Sequence, residues 1–142
     1  ANGAFLGLQI KHKRNDLIFS IVEGIIMALK DSLFSIPKTN IKKIFLSGGA
    51  TRFSLWPRLV SVIFNLPVFV FRNVDSAAVG AFLLGAKRLG IIKDYDAIIN
   101  GLIPNSPVLP QPKYAQEYEK KFQKYRHFSS FIREYSSFEN KL

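Results

Sequence analysis

The sequence predicts an α/β domain in which a mostly parallel sheet is flanked by helices and followed by a C-terminal helix. Three observations lead there. Over residues 3–90, short runs of strand-forming residues alternate with longer runs whose apolar residues recur every three or four positions, the pattern of strands joined by crossover helices. The run Val68-Phe69-Val70-Phe71 is apolar without interruption, as in strands covered on both faces. Hydrophobic residues make up 48% of the 142 residues and aromatics 13%, which is enough to build a core and too apolar for intrinsic disorder.

Taken in order, residues 3–10 alternate weakly and suit a short strand leading into the polar turn 11–15. From Asp16 onward, Leu17, Ile18, Ile21, Val22, Ile25, Ile26, Leu29, Leu33 and Phe34 form the stripe of an amphipathic helix. Asn15 or Asp16 is expected to cap it, and it should stop before Pro37, which disfavours helical geometry at Ile36. Residues 43–47 read as a second strand that ends in Gly48-Gly49. Helical spacing returns over 53–64 through Leu55, Trp56, Leu59, Val60 and Ile63. Residues 67–71 make the next strand, and Asp75 or Ser76 opens a helix over 77–89, closed by Gly90.

Four of the seven prolines, Pro104, Pro107, Pro110 and Pro112, fall within ten residues and predict an extended connector crossing a surface. A final helix carries Tyr114, Tyr118, Phe122, Tyr125, Phe128, Phe131 or Ile132, and Tyr135 on one stripe, with Glu117 and Lys121 outside it. That stripe is expected to dock on the α/β body. The expected organisation is therefore a lobe over 1–103, a connector over 104–112 and a packed helix over 113–142.

Composition narrows the chemistry. No cysteine is present, and His12 and His127 lie far apart, so a soft-ligand metal site and a disulfide framework are excluded. Neither histidine has a triad partner nearby in sequence; His12 reads as an exposed structural residue and His127 as one on the polar edge of the last helix. The first ten residues lack the features of a signal peptide, and no apolar run reaches the roughly 18 residues of a membrane span; a cytoplasmic protein with no membrane partner is expected. Twenty basic residues against ten acidic ones give a net charge of +10, but the positive charges are scattered, which suits a solvated surface. A second reading makes Lys120, Lys121, Lys124 and Arg126, with Tyr125 and Phe128, a basic nucleic-acid-interaction module. It is the weaker one, because those aromatics share the stripe that core docking needs, and no nucleic-acid partner is expected. Asp31, Asp75, Asp94 and Asp96 read as cap, turn and surface residues and are assigned no part in catalysis.

The segment that carries chemistry is Leu46-Ser47-Gly48-Gly49-Ala50-Thr51-Arg52-Phe53-Ser54-Leu55-Trp56. Paired glycines at the end of a strand let the backbone approach a flat ligand closely, because no Cβ holds it away. The following helix offers free N–H groups and its positive dipole end to the same place. Such a turn suits a nucleotide, although the spacing is neither that of a P-loop nor of a dinucleotide fingerprint.

Five blocks occur in order: Gly3-Ala4-Phe5-Leu6-Gly7-Leu8, then His12 with Arg14 and Asp16-Leu17, Glu23-Gly24 within the first helix, residues 46–56, and Leu66-Pro67-Val68 followed by Asp75-Ser76-Ala77-Ala78-Val79-Gly80-Ala81. Together they resemble the C-terminal domain of the FGGY family of carbohydrate kinases, whose fold is actin-like and ribonuclease H-like, and Trp56 leans the resemblance towards the xylulose kinases. It implies the second lobe of a sugar kinase that uses ATP and Mg2+ to phosphorylate a keto-pentose such as D-xylulose. By the same resemblance Gly48, Gly49 and Ala50 pass under the adenine and ribose, Ser54 offers a hydroxyl near the base, and Arg52 contacts phosphate. Trp56 and Gly80 are expected to serve helix packing.

In the family the sugar site, the aspartate base and the phosphate loops lie in other parts of the enzyme, so this chain alone is expected to be inactive. Its partners would be ATP or ADP and, with an N-terminal lobe, a sugar; a homodimer is left open. One departure matters. The family carries a Gln and later an Ala-Asp pair where this chain has Arg58, Ser61 and Val62, which gives a further alternative, a degenerate kinase-like domain that binds no nucleotide.

Overall fold

The structure, a computed structural model, describes residues 3–36, 40–71 and 75–139. It comprises two compact units, Asn40–Gln111 and the pair of segments Ala1–Thr39 and Pro112–Leu142.

In the unit Asn40–Gln111, strand β1 (Ile44–Leu46) lies parallel to β2 (Val68–Val70), with Ile44 opposite Val68, Phe45 opposite Phe69 and Leu46 opposite Val70. A parallel pair needs a crossover; here it runs through a short 3-10 turn (Gly49–Arg52) and helix α2 (Leu55–Phe64). Seven of the ten residues of α2 are buried, because apolar side chains occupy most of its circumference rather than a single stripe. It ends at Asn65, which takes the left-handed conformation (φ 54) and donates its N–H to Ser61 O and Val62 O; asparagine is among the few non-glycine residues that visit this region routinely.

The proline-rich connector does more than cross a surface. Val108 exchanges both backbone hydrogen bonds with Val68, at 2.8 and 2.9 Å, as an antiparallel bridge. Its carbonyl also accepts the hydroxyl of fully buried Ser61 at 3.1 Å. Pro107 and Pro110 lack N–H groups, so the pairing cannot extend into a strand.

Helix α3 (Ser76–Arg88) starts at the N-cap Asp75, whose carboxylate accepts from the Ala77 and Ala78 N–H groups at 3.0 and 3.1 Å, the preferred capping chemistry. The expected packing role of Gly80 does not hold, since a Cβ built there would meet nothing within 4 Å. Helix α4 (Asp96–Leu102) was not expected. It spans seven residues and buries none of them, so it leaves no apolar stripe in the sequence.

In the other unit, α1 (Arg14–Phe34) and α5 (Pro112–Glu139) pack together. The expected cap of α1 is corrected: Lys13 is the N-cap residue, and the Asp16 carboxylate reaches back to accept its N–H at 2.8 Å. Pro37, expected to stop this helix, lies outside the described residues. Proline opens α5, where its missing N–H costs no helical bond. Ile26, Met27, Tyr118 and Phe122 are buried in this unit, with the Phe34 and Phe122 rings 6.4 Å apart.

Polar contacts supplement this burial. Buried Lys30 pairs with Glu119 at 3.3 Å and lies 4.4 Å over the Phe122 ring, a cation–π geometry. Asp31 pairs with Arg126 at 3.0 Å, and Glu117 pairs with Lys121 one turn on at 3.2 Å.

The strand expected over residues 3–10 is absent. These residues take no regular structure, and Gly7 adopts φ +75, which breaks the extended backbone a strand requires. A strand is defined by a neighbour that pairs with it, and the observed sheet consists of β1 and β2. Phe5, Leu6, Leu8 and Ile10 are accordingly exposed.

Candidate functional site

The glycine pair leaves the C-terminal end of β1 in a conformation that only glycine adopts without strain. Gly48 has φ 91 and ψ −176, a region in which a Cβ clashes with the backbone. Crowding is not the reason for glycine here: a Cβ built on Gly48 or on Gly49 would meet nothing within 4 Å, and both residues are exposed. The turn therefore presents bare backbone to open space.

The chain then tightens into the 3-10 turn. Thr51, buried, donates its N–H to Gly48 O at 3.1 Å and its hydroxyl to the same oxygen at 2.7 Å. Phe53 N–H reaches Ala50 O at 3.2 Å, and Trp56 N–H reaches Phe53 O at 3.0 Å. Ser54 is the N-cap residue of α2, yet its hydroxyl makes no capping bond, and it is exposed beside Arg52 and Phe53. The five residues singled out from the sequence, Gly48, Gly49, Ala50, Arg52 and Ser54, are thus all exposed on one seven-residue turn. Trp56 is half-buried, as a packing residue would be.

Sequence reasoning passed over Thr51. A hydroxyl residue three positions after a glycine in a turn is the available signal, since Ser and Thr hydroxyls bond carbonyls three residues back. The departures from the family have structural places: Arg58 is exposed, while Ser61 and Val62 are buried in α2. A carboxylate at position 62, where valine is 7% exposed, would carry a desolvation cost that valine avoids.

A cleft of about 1070 Å³ lies elsewhere, between residues 3–8, α1 and α5, lined by apolar side chains such as Phe5, Ile21, Ile25 and Phe128. None of residues 48–54 lines it. At its edge Glu23 accepts the Tyr118 hydroxyl at 2.6 Å and the Lys121 ammonium at 3.3 Å. Burial, followed by the hydrogen bond to Glu23 and the charges of Glu23 and Glu117, pushes the Tyr118 hydroxyl well above the ordinary tyrosine range. The Gln123 amide at 2.7 Å, and Lys30 after it, hold Glu119 below the usual carboxylate range.

The remaining chemistry-bearing side chains have structural roles. His12 Nδ1 accepts from Gln9 N–H at 3.0 Å, and the exposed His127 ring packs edge-on against Phe128. Asp75 caps α3, Asp94 accepts the Asp96 N–H at 3.3 Å, and Asp31, read from the sequence as a surface residue, is mostly buried between two arginines. Among the described residues no three His, Cys, Asp or Glu side chains stand close enough to hold a metal ion, and no helix is long and apolar enough to cross a membrane.

Residues 1–89 match the FGGY family of carbohydrate kinases, C-terminal domain. The gluconokinase of Bacillus licheniformis is 27% identical over 121 residues, covering 83% of this chain and 24% of that protein. The crystal structure of ligand-bound xylulose kinase from Lactobacillus acidophilus superposes with a TM-score of 0.82 at 27% identity, over 94% of this chain and 28% of the other. Gluconate kinase from the same organism gives a TM-score of 0.81 at 27% identity, over 93% and 27%. The chain has the actin-like α/β fold of these sugar kinases and spans about a quarter of their length.

Proposed function

Because the chain belongs to the FGGY family of carbohydrate kinases, we propose that it is the nucleotide-binding part of an ATP-dependent enzyme that phosphorylates a sugar hydroxyl in the cytoplasm. One observation carries the nucleotide reading. At the tip of β1, Gly48 holds a conformation reserved for glycine, with open space where both glycine Cβ atoms would stand. A purine nucleoside is flat and can lie against such a backbone; by the family resemblance the exposed Arg52 would meet its phosphates and the Ser54 hydroxyl its base edge.

Phosphoryl transfer requires two substrates held in line and the developing charge neutralised. Among the described residues Asp16 and Asp75 serve helix caps and Glu23, Asp31, Glu117 and Glu119 form ion pairs, and no carboxylate is assigned as the base. Magnesium would enter with the nucleotide phosphates, which commonly supply much of its coordination; the described residues offer no carboxylate cluster for it, and no step is routed through it. The 142-residue chain binds nucleotide and does not turn over by itself.

For the sugar, Trp56 favours a keto-pentose such as D-xylulose, while the likeness to gluconokinase favours gluconate. Of the side chains the nucleic-acid reading needs, Lys121 and Arg126 pair with Glu23, Glu117 and Asp31 and Tyr125 is half-buried against Phe122, while Lys120, Lys124 and Phe128 stay exposed.

Titrating ADP into the chain, with calorimetry for affinity and amide chemical shifts for location, tests the proposal. Saturable shifts at residues 48–54 are expected. Shifts confined to the α1–α5 cleft, or no binding, would overturn it, and no binding would favour the degenerate domain. Activity of a full-length enzyme carrying this domain, assayed with xylulose and with gluconate, decides between the sugars.

A further inference from the structure

We propose that Thr51 is the positioning residue of the nucleotide turn, a role that rests on the reading of that turn given above. Among residues 47–55 it alone is buried, and both of its donors converge on one acceptor, the Gly48 carbonyl, at 2.7 Å from the hydroxyl and 3.1 Å from the N–H. That acceptor belongs to the peptide joining the two glycines. A trans peptide is planar, with its C=O and N–H pointing in opposite directions, so a carbonyl drawn towards buried Thr51 aims the Gly49 N–H away from it. The backbone there is uncrowded: a Cβ on either glycine would meet nothing within 4 Å, and both residues are exposed.

Glycine alone does not settle this orientation. A Gly-Gly peptide has access to left- and right-handed conformations alike, and flipping it would turn the carbonyl, an acceptor, to the place where a nucleotide needs a donor. The Thr51 hydroxyl selects one of these states. It adds to the backbone bond that any residue at this position would make, so its contribution is separable from that of the turn itself. Thr51 touches no ligand in this arrangement and acts through Gly48 and Gly49.

Two variants separate the role from bulk packing: Thr51→Val keeps the branched shape and removes the hydroxyl, and Thr51→Ser keeps the hydroxyl. In the unliganded chain, Thr51→Val is expected to speed hydrogen exchange of the amide at position 51 by about fivefold, the equivalent of one net hydrogen bond. It should raise the ADP dissociation constant by a similar factor, and Thr51→Ser should restore both values. If the variant lowers the melting temperature while ADP affinity stays at the wild-type value, Thr51 is merely structural and the proposal falls. Unchanged exchange at position 51 defeats the clamp whether or not nucleotide binds. A wild-type chain that fails to bind ADP, with exchange faster in Thr51→Val, instead overturns the nucleotide reading and takes the positioning role with it.

Discussion

Helices α1 and α2 are both marked in the sequence by apolar residues at helical spacing, yet they meet different fates. In α2 seven of ten residues are buried; in α1 three of twenty-one are, namely Ile26, Met27 and Lys30. Ile18, Ile21, Ile25, Leu29 and Phe34, five of the nine residues of the stripe that identifies α1 in the sequence, are exposed. Within its own unit, α2 has β2 beneath it and the connector hydrogen-bonded at Ser61, whereas α1 has α5, joined partly by charge: Lys30 with Glu119, Lys121 with Glu23, and Asp31 with Arg126 and Arg133. One unit is held by apolar burial and backbone pairing, the other by a narrow apolar seam supplemented by polar contacts. The lesson is that amphipathic spacing reports an intention to bury a face, and the neighbours available decide how much of it is buried.

The sharpest way to break this contrast is to truncate the same residue type in both helices. Ile63→Ala in α2 removes a side chain that is 1% exposed and should cost about 2–5 kcal/mol of unfolding free energy. Ile21→Ala in α1, 49% exposed, should cost less than about 1 kcal/mol. Denaturant titration measures both, and equal losses would mean that the α1 face is covered in solution.

A smaller effect sharpens the polar side. Tyr118→Phe removes the 2.6 Å bond to Glu23 and should cost about 1–2 kcal/mol at neutral pH. It also has a pH signature. Folding raises the Tyr118 pKa, so above about pH 10, where an unfolded tyrosine ionises, the unfolded state binds fewer protons and stability falls as pH rises. Below that pH the contribution is fully present. Thermal unfolding at pH 8 and pH 11 should show a shallower alkaline loss in Tyr118→Phe than in wild type; parallel curves would refute the assignment.

A further effect concerns a local device that depends on neither arrangement. Asp75→Ala deletes the α3 cap and should cost about 1 kcal/mol, with Asp75→Asn retaining most of it. A loss beyond about 2 kcal/mol, again from denaturant midpoints, would show that Asp75 does more than cap a helix.

Legibility in the sequence followed the range of the interactions involved. The cap at Asp75, the stop of α2 near Asn65 and the i,i+4 pair of Glu117 and Lys121 all depend on residues a few positions apart, and pattern reading found them or came within a residue or two. Residues 3–10 misled because a strand needs a pairing partner that alternation cannot guarantee, and because the positive φ of Gly7 is invisible in sequence. The α1 cap slipped because Asp16 acts backwards from the third helical position instead of occupying the cap. Of the candidate site, the paired glycines were plain, since their conformational freedom is a property of the residue. Thr51 was not, since its hydroxyl matters only once the turn brings Gly48 O within 2.7 Å.

By itself the sequence determined the run of elements from α1 to α3 and the final helix, the family resemblance carried by five ordered blocks, and the place where backbone is laid bare, because each rests on local stereochemistry or on residue identity. Tertiary structure alone decided that Val108 would close onto Val68, that Ser61 would bond a connector carbonyl, and which residues of the α1 stripe would be buried. Those outcomes depend on surfaces meeting across tens of residues, where the gain from burial is set by the shape and polarity of the partner and has no counterpart in periodicity.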